Sequence, residues 1–245
     1  MRGPKLSRAS SVLFGPDDEP LDEPERMIAD FRDEILGALS SKEIKKLKDN
    51  GSWEGVWLTS TVAALYLARF WTMRNPWWAD EALQELFSVS LPVTKAVSLA
   101  HFKAMQIRKQ NSARELGQML RRYEDQKLKD VAFVQIETMR QAGIPLSKAC
   151  SGIALWLDRF SKGSEEDREI LGIKTVPKRM WKVETLVREA PRWRDDWLRG
   201  KVWAVAIKRD FAAMDESTRR AHGEKLLSQL EAIGPADGHF RGQPR

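Results

Sequence analysis

A run of basic residues between positions 174 and 209 is the part of the sequence best equipped to bind a charged partner. It contains eleven Lys and Arg against four Asp and Glu, and four tryptophans lie among them. Ammonium and guanidinium groups neutralise phosphates and release counterions, and nearby indoles can stack on exposed bases. These residue types therefore predict phosphate contacts supported by stacking. The basic residues are Lys174, Lys178, Arg179, Lys182, Arg188, Arg192, Arg194, Arg199, Lys201, Lys208 and Arg209, and the tryptophans are Trp181, Trp193, Trp197 and Trp203.

A second basic region lies between positions 95 and 140, with ten Lys and Arg against five Asp and Glu. We expect nucleic-acid contacts from Arg121 and Arg122 of this region and from the nine basic residues between Lys174 and Lys201. The competing interpretation is that both regions are ordinary solvated helix faces. The tryptophans would then fill the core.

Enzymatic chemistry has little support in the sequence. The histidines, His101, His222 and His239, form no metal-ligand spacing with acids, and no HExxH, Walker A, GxGxxG or GxSxG motif occurs. Cys150 is the single cysteine and lies beside an apolar stripe, which favours a small core residue. Acid pairs such as Asp195-Asp196 have basic neighbours, as solvated surfaces do, although carboxylates from two helices could share a metal. We expect no enzyme activity, no cofactor and no metal.

Length and charge narrow the class of protein. The chain has 245 residues, a formal net charge of +6 and a pI of about 9.4. This moderate excess fits a polyanionic partner without requiring one. The most apolar stretch, residues 56–71, is too short and too polar to span a bilayer, and the N-terminus has no apolar signal core. Together with the single cysteine, these features predict an intracellular, cytoplasmic protein without a membrane partner.

Helical spacing of apolar residues recurs along the chain, and no stretch alternates with a period of two. We therefore predict an all-α, multi-helix globular bundle of roughly 9–11 helices. Disordered tails are expected at residues 1–24 and 235–245. Residues 25–110 would form an N-terminal helical region, and residues 111–234 a basic C-terminal helical region.

Capping and breaking residues predict several helix boundaries. One helix is expected from about residue 24 to residue 49, where Asn50-Gly51 ends it. Thr94 is expected to cap a later helix. The longest helix should begin at Ser112 and end near residue 141, with Gly143 as the residue after its C-cap.

A further helix is expected to begin at Thr175 and to end before Pro191. Lys178 and Lys182 lie one turn apart in it, with Arg179 beside them. They lie off its apolar stripe and can therefore face outward together. The stripe consists of Val176, Met180, Val183 and Val187.

The segment from Glu165 to Leu186 resembles the helix-turn-helix of bacterial DNA-binding proteins. A short helix is followed by a turn at Leu171-Gly172-Ile173 and by a basic helix. The resemblance implies that the second helix enters the major groove. The side chains facing the DNA would be Lys174, Lys178, Arg179 and Lys182. The segment departs from the motif at positions that are usually apolar or small, namely Asp167, Arg168 and Lys178.

A second segment, from Gln135 to Ala154, also resembles a helix-turn-helix, with Gly143 at its turn. Met139 stands where the motif usually has a small residue. Lys148 is the single basic residue after the turn within this segment.

Two apolar segments loosely resemble parts of the nucleoproteins of segmented negative-strand RNA viruses. They are residues 58–64 and residues 91–94. Those nucleoproteins are helical and bury RNA backbone in a basic groove. The resemblance implies an oligomer with a flexible N-terminal arm that docks on a neighbouring subunit, and it assigns no functional residue.

The N-terminal part of the chain is acidic. Nine acids and two arginines occur between Asp17 and Glu34. One interpretation is a solvated tail that leads into a helix. The other is an acidic segment that competes with nucleic acid for a basic face.

The leading hypothesis is a non-enzymatic nucleic-acid-binding protein, with a DNA-binding regulator favoured through its helix-turn-helix-like element. One alternative is a protein that coats RNA or DNA as a homo-oligomer. The other is a helical scaffold or adaptor without a nucleic-acid role. In that case Trp53, Trp57, Trp77 and Trp78 would mark a protein-protein surface.

Overall fold

The structure, a computed structural model, describes residues 23–162, 181–212 and 214–232. These residues form ten α-helices and one π-helical turn, and they contain no strand. The predicted all-α fold is confirmed. The expected tails lie outside the described residues, except that residues 23 and 24 begin the first helix. Lys174, Lys178, Arg179 and the Gly172 turn also lie outside them.

The chain divides into two compact units between Leu120 and Arg121. The helices of the first unit are α1 (Glu23–Gly37), α2 (Ser41–Asp49), α3 (Trp53–Met73), α4 (Pro76–Ser88) and α5 (Lys95–Gln110). Helix α6 (Ala113–Gln141) begins in the first unit and continues into the second. The second unit also contains α7 (Leu146–Lys162), α8 (Val183–Asp195), the π turn (Trp197–Lys201), α9 (Val202–Ala212) and α10 (Glu216–Ala232).

Helix α3 is the centre of the first unit. It packs against α1 and α4, and α4 packs in turn against α5. Every residue from Ser60 to Phe70 is buried, because α3 is apolar around most of its circumference. Arg69 is the charged exception, and its guanidinium carbon lies 4.6 Å from the centroid of the Trp78 ring. Within the described part of the chain, no helix combines the length and apolarity needed to cross a membrane.

The prediction of one helix across residues 24–49 is wrong, because α1 ends at Gly37 and α2 begins after Ser40. Ser40 forms a capping box with Glu43, whose carboxylate accepts a hydrogen bond from the Ser40 backbone N–H at 2.8 Å. These hydrogen bonds hold the pKa of the Glu43 carboxyl below its usual range. Local capping therefore starts a new helix inside a continuous helical pattern.

Other boundaries follow the predicted signals. The side chains of Thr94 and Ser112 accept hydrogen bonds from the backbone N–H groups of the third residues of α5 and α6. Gly143 has a φ of +86° and follows the C-cap of α6. Its N–H donates to the Arg140 carbonyl, and the Ile144 N–H donates to the Met139 carbonyl, each at 3.0 Å. This pair of bonds is the Schellman arrangement that ends helices at a glycine.

Pro191 does not end a helix, contrary to the prediction, because α8 runs from Val183 through it to Asp195. A proline inside a helix costs about 3 kcal/mol. The buried stripe of α8 consists of Leu186, Ala190 and Trp193, on both sides of the proline. Burial of one large apolar side chain contributes about 1.5–3 kcal/mol, so packing offsets the lost backbone bond.

The core of the second unit lies between α6, α7, α8 and α10. Its large apolar side chains are Leu128, Phe133, Ile136, Met139, Ile144, Ile153, Trp156, Leu157, Leu186, Trp193, Leu227 and Leu230. Two glycines allow close approach of the helices. A Cβ at Gly152 would lie 2.9 Å from Leu227 Cδ1, and one at Gly223 would lie 2.4 Å from Ala142 Cβ.

Cys150 belongs to this core and has no exposed surface, as predicted. Burial raises the pKa of its thiol from the ordinary value of 9.0 to about 11. We predict that a thiol-reactive disulfide reagent at about pH 8 labels the native protein far more slowly than the denatured protein, because the thiolate is the reacting form. Rapid labelling of native protein to one thiol per chain would contradict the burial.

Candidate nucleic-acid interface

Every predicted contact residue that the structure describes lies in the second unit. They are Arg121 and Arg122 on α6, Lys182 at the N-cap of α8, Arg188, Arg192 and Arg194 on α8, and Arg199 and Lys201 in the π turn. Lys174, Lys178 and Arg179 lie outside the described residues.

The outward face of α8 carries two arginines one turn apart. The side chains of Arg188 and Arg192 are 64% and 67% exposed. Both contact one carboxylate oxygen of Glu189, at 3.0 and 3.4 Å. Because two guanidinium groups share one carboxylate, this part of α8 keeps a net positive charge.

The end of α8 and the π turn are more nearly neutral. Arg194 lies 3.4 Å from Asp195, and Arg199 lies 3.1 Å from Asp196. The Asp196 side chain also accepts a hydrogen bond from the Leu198 N–H at 2.9 Å, which starts the π turn. The charge excess counted along the sequence is therefore partly compensated by carboxylates of the same elements.

Lysines at the two ends of this region have different surroundings. Within the described residues, neither Lys182 nor Lys201 forms an ion pair with a carboxylate. The Lys201 ammonium lies 4.7 Å from the centroid of the Trp197 ring. Trp197 is half-buried, and Lys201 contacts the face of an indole that could otherwise stack on a base.

Packing explains the other tryptophans of the run. Trp193 is buried, and its ring meets those of Phe133 and Trp181 edge to face, with centroids 6.3 and 5.8 Å away. Trp203 packs partly buried against the same core. For Trp193 the competing expectation, that the tryptophans fill the core, is confirmed, because the core encloses its ring.

Helices α6 and α8 bring residues of the two basic regions together. The Lys129 ammonium of α6 forms an ion pair with Asp125 one turn earlier and lies 5.9 Å from the centroid of the Trp181 ring, the residue that precedes Lys182 in sequence. Arg122 precedes Lys129 by nearly two helical turns and lies within about 20° of it around the α6 axis. Arg122 is exposed. We define the α6–α8 basic surface as Arg122, Lys129, Lys182, Arg188 and Arg192.

The second helix-turn-helix candidate has the expected order of helix, glycine turn and helix, formed by α6, Gly143 and α7. The exposed side chains of α7 give it little positive charge. They include Ser147, Lys148, Ser151, Leu155 and Asp158. Lys148 is the one basic residue in the first turns of α7, and Asp158 and Arg159 lie near its end, so the exposed start of the helix offers a single cation for insertion between two phosphate backbones.

Sequence reasoning missed a lysine cluster on α2, in the first unit. Lys42, Lys45, Lys46 and Lys48 are exposed, and within the described residues none pairs with a carboxylate. Lys48 lies 5.2 Å from the centroid of the Trp53 ring. Four lysines within seven positions were the signal that could have identified it.

The histidines that the structure describes take part in ion-pair or packing contacts. His101 Nδ1 lies 3.5 Å from an Asp80 carboxylate oxygen, and the same carboxylate binds Arg108. The His222 ring packs edge to face on Phe211. Among the residues described, no three His, Cys, Asp or Glu side chains form a group able to hold a metal ion.

Comparisons with known proteins found no relative of this chain. No protein-family model, curated protein or solved structure matches it.

Proposed function

We propose that this chain is a non-enzymatic nucleic-acid-binding protein that contacts the phosphate backbone through the α6–α8 basic surface. An intracellular, cytoplasmic location is part of the proposal, because nucleic-acid partners are found there. The observation that carries it is the contact between Lys129 of α6 and Trp181, two residues before α8, which brings cations of two sequence-distant basic regions close to each other.

The ion pairs on this surface leave the cations available to phosphate. Exposed ion pairs contribute about 0–1 kcal/mol, because solvent and salt already screen both charges. A phosphate oxygen can replace the Glu189 carboxylate at Arg188 or Arg192 and release a counterion from the nucleic acid. The cost of this exchange is low, so partial compensation weakens the surface without abolishing it.

The side chains of the surface favour backbone contacts over base reading. Lys and Arg on an outward helix face bind phosphates without regard to sequence. Base reading in a major groove requires an exposed helix with several polar or basic side chains, and α7 has one lysine in its exposed first turns. A protein that coats RNA or DNA agrees better with this distribution than a regulator that uses α7.

The test is the salt dependence of binding to single-stranded and duplex oligonucleotides. If four to five of the surface cations each contact a phosphate, affinity for duplex should fall about 10²- to 10³-fold between about 50 and 200 mM salt. Fluorescence anisotropy with labelled oligonucleotides of several lengths would measure it. A neutral peptide nucleic acid of the same sequence serves as the control and should not bind.

The same titration separates the alternatives. Cooperative binding that strengthens with strand length supports a coating protein. Length-independent binding to one duplex sequence supports a DNA-binding regulator instead. If no oligonucleotide binds at low salt, the proposal is overturned and the scaffold interpretation takes its place.

A further inference from the structure

The helical hairpin formed by α4 and α5 exposes an unusual amount of apolar surface. Within the described residues, nine large apolar side chains are strongly exposed, and six of them lie between positions 87 and 105. Phe87 is 62% and Phe102 is 54% exposed. The six residues are Phe87, Val89, Val93, Leu99, Phe102 and Met105. Concentrated apolar surface of this kind marks an interaction site.

Helix α5 is apolar on two sides. One side, which includes Val97, Ala100 and Ala104, is buried. Leu99, Phe102 and Met105 follow one another at three-residue spacing on another side, which is exposed. We call this exposed side the α5 outer face. Helices that are apolar on two sides are normally buried on both, which indicates that a partner covers the second side of α5.

The rim of the α5 outer face is basic. Lys95, Lys103 and Lys109 are exposed, and none pairs with a carboxylate in the described part of the chain. The sequence of α5 contains no Asp or Glu. A symmetric dimer through this face would bring like charges together, which disfavours a second copy of the same face as the partner. The face requires an apolar partner with negative charge.

We propose that the α5 outer face binds residues 12–22 of this chain. The segment starts with the apolar residues Val12, Leu13 and Phe14 and continues with the acids Asp17, Asp18, Glu19 and Asp22. It therefore offers three apolar side chains to Leu99, Phe102 and Met105, and it brings four carboxylates to the lysine rim. This proposal is independent of the proposed nucleic-acid binding.

The attachment point of the segment allows the contact. Helix α1 begins at Glu23, and its Glu34 carboxylate accepts a hydrogen bond from the Ala96 N–H in the first turn of α5, at 2.9 Å. Glu23 precedes Glu34 by about 16 Å along the helix. Phe14 lies nine positions before Glu23 and can therefore be at most about 31 Å from it when extended. Leu99 lies three residues, or about 4.5 Å, beyond Ala96 along α5, so the apolar residues of the segment can reach the start of the outer face.

Photo-crosslinking of the full chain tests the proposal. A benzoylphenylalanine replaces Phe102, and mass spectrometry identifies the peptide attached after irradiation. We expect the main cross-linked peptide to come from residues 12–22. The same probe in place of Leu99 gives a second position if the first variant folds poorly. Covalent dimers on a denaturing gel distinguish a segment donated by a second copy from one of the same copy.

A matched control uses the same probe in place of Leu155, an exposed leucine on α7 in the second unit. It should give little cross-linking to residues 12–22. Replacing Asp17, Asp18 and Glu19 by their amides should lower the yield from position 102 several-fold. Raising salt from about 0.05 to 0.5 M should do the same, because it shortens the screening length to about 4 Å.

Three outcomes overturn the proposal. One is the absence of any cross-link from both positions on α5, and another is attachment to a different segment. The third is a yield that stays the same when the three acids are neutralised, because charge complementarity selected this segment as the occupant.

Discussion

Replacing Lys182, Arg188 and Arg192 with alanine should lower the salt dependence of duplex binding by about 2.7 in the slope of log K against log salt. Each cation that contacts a phosphate contributes about 0.9 to that slope, and the three residues form the α8 part of the α6–α8 basic surface. Affinity at about 50 mM salt should fall by more than the charge count alone implies. The reason is that Glu189 loses both guanidinium partners and then repels the phosphates.

A matched triple variant distinguishes the effect of losing a local interface from the effect of lowering the net charge. Lys42, Lys45 and Lys46 on α2 carry the same total charge and lie in the first unit, outside the proposed surface. Their replacement with alanine should leave the slope within about 0.5 of the wild-type value, because no phosphate contact is lost. An equal fall in both triple variants would mean that nucleic acid responds to overall charge and not to the α6–α8 basic surface.

The variant Glu189→Gln, which removes one negative charge from α8, should change the affinity in the opposite direction. It removes the carboxylate that Arg188 and Arg192 share while leaving both cations in place. Affinity should rise, with a slope equal to or steeper than that of the wild type. A fall in affinity would show that Glu189 positions the two guanidinium groups for binding.

Local signals in the sequence were sufficient for most of the fold. Thr94 and Ser112 cap helices where their side chains reach backbone N–H groups three residues ahead, and Gly143 takes the positive φ that ends α6. These features depend on neighbouring residues, so a sequence shows them directly. The failures at Ser40 and Pro191 are different. At Ser40 a strong cap interrupts a continuous pattern, and at Pro191 tertiary packing outweighs a breaker.

The candidate site was less predictable because its properties depend on pairing and burial. The sequence identifies Arg188 and Arg192 as cations but does not show that Glu189 lies between them. The sequence presents Trp193 and Trp197 alike, as tryptophans among basic residues. In the structure Phe133, from a distant part of the chain, helps to bury Trp193 but not Trp197. The exposed side of α5 has the same limitation, since periodicity identifies apolar residues without showing which of them another helix covers.

Replacing Gly200 with alanine should destabilise the second unit by about 1–3 kcal/mol, toward the upper end of that range. A Cβ at this position would lie 2.6 Å from the carbonyl oxygen of Trp193, 2.8 Å from its carbonyl carbon and 2.9 Å from Phe133 Cε1. Two of these three atoms belong to backbone. Relief therefore requires the end of α8 to move away from the π turn, which no side-chain rotation achieves.

Thermal or denaturant unfolding followed by circular dichroism would measure the effect, and a loss of about 3 kcal/mol corresponds to roughly 6–12 °C in Tm. The control is Gly55→Ala in the first turns of α3, where an added Cβ meets no atom within 4 Å. That variant should be equally stable or more stable, because alanine favours a helix over glycine by up to about 1 kcal/mol. If Gly200→Ala has the same Tm as the wild type, the π turn does not approach Trp193 as closely as described. The position of Arg188 and Arg192 relative to α6 would then lose its support as well, because Trp193 anchors α8 against Phe133 of α6.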